Sequence, residues 1–193
     1  MSMKVSEGSG NYPLHPAGLF DFICIWVVYL GLQRGIYGDK SSILLGFESP
    51  TVLMDDGRPS VITRRFGANL SSKGNFRAFL TPWRSRDFTP EELKEFDTSV
   101  LAGKPVKLLI QHTTSTEGKT YANIQASVRP DKGQSTQTHN PLVVFDADHP
   151  DAQAKALLPE WVQKLIDSAI PPTVKPTAAV PPAAPDFDDD LTF

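Results

Sequence analysis

Eight residues, Asp186-Phe187-Asp188-Asp189-Asp190-Leu191-Thr192-Phe193, combine four carboxylates with two aromatic rings. A tail that only solubilises needs no rings. Phe193 offers a phenyl ring and an α-carboxylate together, which suits an apolar pocket edged by Arg or Lys, while the aspartates suit a wider basic ridge and steer the encounter. Asp186, Phe187, Asp188, Asp189, Asp190, Leu191 and Phe193 therefore read as a contact set for protein partners.

A second constellation has the opposite sign. Residues 57–86 contain Arg58, Arg64, Arg65, Lys73, Arg77, Arg84 and Arg86 and no acid, interleaved with Phe66, Phe76, Phe79 and Trp83. Cations that track phosphates and rings that stack on unpaired bases are what hold single-stranded nucleic acid. On this reading the phosphate contacts are Arg64, Arg65, Arg77, Arg84, Lys107 and Lys119, and the stacking rings are Tyr121, Phe66 and Trp26. Asn123 adds a polar contact. The competing reading is that acids elsewhere in the fold neutralise these bases, and that Trp26, Phe76 and Phe79 belong to the core.

Charge is unevenly divided. Residues 1–150 hold 16 of the 19 Lys and Arg and 15 of the 22 acids, so the acidity is concentrated in residues 151–193. Catalytic patterns are scarce. Gly8-Ser9-Gly10 and residues 31–35 lack the spacing of a phosphate loop, and the Gly-Lys pairs at 103–104 and 118–119 read as strand entries rather than helix starts. Asp146, Asp148, His149 and Asp151 cluster before a helical stretch, which reads as turn and cap chemistry rather than a metal site. We expect no enzyme activity, no cofactor and no metal. The single cysteine, Cys24, excludes an internal disulfide and fits a cytoplasmic protein. The apolar run at 22–30 is too short to span a bilayer, so no membrane association is expected.

The elements that must position these residues follow from periodicity and punctuation. Strands are predicted over 18–32, 41–48, 59–66, 105–113 and 119–128, with a further edge strand at 142–145. A helix over 75–80 stops before Pro82, and Thr89-Pro90-Glu91-Glu92 begins another with a capping box. In the last long strand Ala122, Ile124, Ala126 and Val128 alternate with Tyr121, Asn123, Gln125 and Ser127, so Tyr121 faces outward. Residues 153–170 form an amphipathic helical stretch broken near Pro159, with Trp161, Leu165 and Ile166 on its apolar side. This predicts a mainly β fold. The expected form is an OB-fold-like five-stranded barrel with a helical insertion between strands 3 and 4, a C-terminal helix and a disordered tail. Residues 1–12 read as a flexible arm and 13–170 as the domain. Residues 171–185, with six prolines and four alanines, read as an extended linker, and 186–193 as the acidic tip.

The tip resembles that of bacterial single-stranded DNA-binding proteins, which ends Asp-Phe-Asp-Asp-Asp-Ile-Pro-Phe; Leu191 and Thr192 are the two departures. The domain resembles the single-stranded DNA-binding proteins of phages and prophages. That likeness rests on Asp56-Gly57-Arg58-Pro59, Thr89-Pro90-Glu91-Glu92-Leu93, Gly118-Lys119-Thr120-Tyr121-Ala122-Asn123-Ile124 and Asn140-Pro141-Leu142-Val143. The resemblance implies an OB-type domain that binds single strands, a tip that docks on replication, recombination and repair proteins, and residence in the host bacterial cytoplasm. Self-association into a homo-oligomer is compatible with these features. The alternative is an interaction protein whose tip mimics the host tail and occupies host replication proteins without binding DNA.

Overall fold

The computed structural model describes residues 14–35 and 38–170. The expected arm, linker and acidic tip therefore lie outside the described residues. Six strands form one mainly antiparallel sheet: β1 (Gly18–Gln33), β2 (Lys40–Leu53), β3 (Pro59–Gly67), β4 (Pro105–Thr114), β5 (Thr120–Val128) and β6 (Val143–Asp146). Helices α1 (Asn75–Arg84) and α2 (Pro90–Lys94) and a 3₁₀ turn (Thr98–Leu101) lie between β3 and β4. Helices α3 (Ala152–Ala156) and α4 (Glu160–Asp167) follow β6. No helix among the described residues is long and apolar enough to cross a membrane.

The strand order is β3-β2-β1-β4-β5. β1 organises it, because its length lets one edge serve two partners. Its first residues pair with β4, Gly18 opposite Ile110 through Ile23 opposite Pro105. Farther along, Trp26–Tyr29 pair on that edge with β6, which runs parallel to β1 rather than forming an antiparallel edge. The other edge of β1 carries β2.

The β-branched run of β1 is buried on both faces. One face joins a core in which Phe22, Val27, Leu45, Phe47 and Phe66 meet Phe76, Phe79 and Trp83 of α1. The other face, with Trp26, Val28 and Leu30, is extended by Val143 and Phe145 of the neighbouring β6 and meets Val162 and Ile166 of α4. Trp26 lies flat against β2 at Gly46, where an added Cβ would sit 2.4 Å from the indole. Only glycine permits that approach.

Three local predictions are corrected. α1 continues past Pro82 to Arg84. Leu80 and Trp83 are buried in the core, and the Trp83 indole donates to Pro105 O at 2.8 Å, so packing outweighs the missing amide. The alternation of β5 changes phase at a register shift, where Leu109 faces Ala126 but Ile110 faces Ile124. This bulge inserts Gln125, turning Ser127 inward to bond Phe79 O and Val128 outward. In α4 the buried residues are Val162 and Ile166, and Trp161 is exposed.

The polar stretch 131–140 is tied down from within. Glu48, fully buried on β2, accepts the amides of His139 at 2.7 Å and Asn140 at 2.9 Å, and the Asn140 side-chain amide at 2.6 Å. A buried carboxylate is tolerable only with such donors.

Candidate nucleic-acid interface

Most cations of the basic stretch meet acids just outside it. Asp87 receives Arg77 in a two-bond fork, at 3.0 and 2.6 Å. Glu92 receives Arg84 at 2.5 Å and Arg86 at 2.7 and 3.0 Å, while also completing the predicted capping box on Thr89. Arg58 binds Asp56 across the β2–β3 turn. These partners act on the acids. Hydrogen bonds, chiefly from Arg77, hold the Asp87 carboxyl down at about 2, and those led by Arg86 hold Glu92 at about 2. The Arg84 guanidinium also lies against two rings, 4.1 Å from the Phe88 centroid and 5.1 Å from that of Phe96. A cavity of about 500 Å³ lies beside this cluster, lined by Trp83, Phe96 and Val100, but Arg84 and Arg86 on its wall are already bound to Glu92.

Arg64 has another task. β3 and β5 are the two ends of the strand order, and Arg64 reaches from one to the other, donating to Ile124 O at 2.7 Å and Gln125 O at 3.3 Å. Its guanidinium lies 5.0 Å from the Phe66 centroid and 5.4 Å from that of Phe79. Burial lowers its pKa. Arg64 closes a seam between strands.

The expected contact set is therefore corrected in several places. Trp26, 7% exposed, and Phe66, 4% exposed, have no ring face available to a base. Arg77 and Arg84 are bound to acids, Lys107 is paired with Asp131, and Arg64 faces inward. Arg65, Lys119, Tyr121 and Asn123 stay exposed. Arg65 donates to the Ser42 hydroxyl at 3.1 Å, and Lys119 sits in the β4–β5 turn. Neither has a carboxylate partner among the described residues.

Tyr121 and Asn123 open onto a groove of about 470 Å³ along the β3–β5 seam. Met54, Ser60 and Val61 form the β3 side, and Trp161 of α4 forms another wall. Tyr121 is 49% exposed and Trp161 47%. His15 also lines the groove; burial keeps its pKa below the ordinary value, and its ring lies edge-on to Phe20 at 4.8 Å.

Sequence reasoning missed Trp161, because the helical period groups it with Leu165 and Ile166. A usable signal was its position two residues after Pro159, in the first turn, where Val162 and Ile166 already form an i, i+4 buried pair. The acidic cluster before α3 behaves as turn chemistry: Asp146 accepts the Asp148 amide at 2.9 Å and meets His149 Nδ1 at 3.1 Å, while Asp151 caps α3.

No protein-family model matches this chain, and no curated protein matches it.

Proposed function

We propose that this chain is a non-catalytic, largely sequence-independent single-stranded DNA-binding protein. On this reading it serves phage DNA replication, recombination and repair in the host cytoplasm and recruits partner proteins through Asp186–Phe193. The observation that carries the DNA-binding reading is the pairing of Tyr121 and Trp161, two large exposed rings from different elements, in one groove. Soluble domains normally bury such rings, and stacking on them is worth roughly 1–3 kcal/mol per base without regard to sequence.

The topology supports reading β1–β5 as an OB-type barrel. β1 bonds both β2 and β4, α1 enters between β3 and β4, and Arg64 joins the β3 and β5 ends. Asn123 lines the same groove, and the exposed Lys119 stands two residues before Tyr121 in the chain.

The test is a titration of the full chain with thymidine oligomers, read by quenching of tryptophan fluorescence. Saturable quenching that weakens with salt is expected; absence of binding at low salt overturns the DNA-binding reading. Recruitment is tested separately, by removing Phe193 and measuring association with replication and repair proteins. Loss of association with retained DNA binding is expected, and unchanged association overturns the role of the tip.

A further inference from the structure

We infer that a second depression, at the turn end of the β1–β2 hairpin, binds phosphodiester groups of the same single strand. The inference rests on the DNA-binding reading and extends it to a site remote from the rings. The depression has a volume of about 210 Å³, and Arg34, Lys40 and Arg65 all line it. No carboxylate among the described residues lines it. Among the described residues none of the three cations has an ion-pair partner, although Asp39 precedes Lys40 in the chain.

This arrangement differs from the acid-paired cations elsewhere in the domain. Arg77, Arg84, Arg86 and Lys107 each have an acid within bonding distance. Three like charges around one small concavity repel one another and favour any anion that enters. The backbone holds them there. Lys40 is opposite Gln33 in the β1–β2 ladder, and Arg65 is opposite Leu44 in the β2–β3 ladder. The Ser42 hydroxyl accepts one Arg65 donor at 3.1 Å and leaves the rest of the guanidinium fork available.

Size and lining select the ligand class. The concavity is less than half the volume of the Tyr121–Trp161 groove, and Arg34, Lys40 and Arg65 converge on it. Three cations around so small a space suit a phosphate. Its position suits the same strand. Val61 borders the ring groove and Arg65 the depression, and residues 61, 63 and 65 share one face of β3. They span about 13 Å at the rise of an extended chain. Bases stacked in the groove would thus leave phosphates farther along the strand over Arg65, Arg34 and Lys40.

The test compares two full-length triple variants of equal net charge with the parent chain. One carries Arg34→Ala, Lys40→Ala and Arg65→Ala; the other carries Arg58→Ala, Arg77→Ala and Arg86→Ala. Affinity for a thymidine oligomer of about 16 nucleotides is measured between about 50 and 200 mM salt. Each phosphate contact on a single strand contributes about 0.7 to the slope of log affinity against log salt, so the first variant should lose about 2 from that slope. The second should lose less than about half as much, and a version with Arg34→Lys and Arg65→Lys alone should keep the parental slope. An unchanged slope in the first variant, with an unaltered melting temperature, overturns the inference while leaving DNA binding intact. Equal losses in both triple variants also overturn it, because net charge alone would then explain the effect. Failure of the parent chain to bind at all would instead remove the DNA-binding reading.

Discussion

Two groups of cations in this domain have opposite fates. Around α1 and α2, Arg77, Arg84 and Arg86 are bound to Asp87 and Glu92, and Arg84 is further enclosed by Phe88 and Phe96. At the hairpin ends of the sheet, Arg34, Lys40, Arg65 and Lys119 have no acid partner among the described residues. The first group ties a helical insertion to itself. The second is exposed. The contrast teaches that a run of bases in sequence is a poor measure of positive surface, because the acids that neutralise it begin at the next residue, Asp87.

This division of labour can be broken from either side. The largest effect is expected from the sheet side. Tyr121→Ala with Trp161→Ala should weaken oligothymidine binding roughly 100-fold, with each single change giving about 10-fold, as stacking magnitudes imply. Fluorescence anisotropy of a labelled oligomer measures this, and a loss under twofold in the double variant would detach the rings from binding. Next comes the seam. Arg64→Ala removes charged hydrogen bonds to Ile124 O and Gln125 O and exposes two ring faces, so it should lower unfolding stability by about 2 kcal/mol in a denaturant melt. An unchanged midpoint would mean that the β3–β5 contact is held by packing alone.

Acid titration probes the helical side. Asp87 and Glu92 have carboxyl values of 3.8 and 4.5 without their partners and about 2 in the fold. Between those limits the unfolded chain binds more protons than the folded one. Their contribution is therefore complete above about pH 5 and is lost as pH falls toward 2. Melting temperature should decline over that window, less steeply in Arg77→Ala/Arg86→Ala than in the parent. Equal slopes would disconnect these pairs from acid sensitivity. The smallest effect sharpens the contrast most. The same Arg77→Ala/Arg86→Ala chain should bind oligothymidine within about twofold of the parent at moderate salt, because its missing charges were already neutralised.

How much of this was legible depended on whether local or distant contacts decide a residue's role. The β1 run and the β2 and β3 strands were visible because β-branched and aromatic residues cluster between turn signals. The capping box at Thr89 and Glu92 was visible because it is a four-residue event. The second role of Glu92, holding two arginines from the end of α1, was not, since it needs the turn after Pro82 to bring them together. Tyr121 was placed outward correctly because its half of β5 precedes the bulge. Ser127 was misplaced because one inserted residue reverses every side chain after it. Trp26 and Trp161 exchange the expected roles for a different reason. Gly46 lets Trp26 lie down under α4, and α4 then turns its own tryptophan toward the seam. Neither fact is written within either segment alone.

One bridge ties the chain after α4 back to β1. Ile170 N donates to Leu32 O at 2.8 Å, while Gln33 binds Leu165 O at 3.2 Å and accepts from the Ser168 hydroxyl at 3.3 Å. Gln33 also borders the depression that holds Arg34 and Lys40. The end of α4 is thus bonded to Gln33, the neighbour of Arg34, so loosening α4 would also unsettle the rim of that depression.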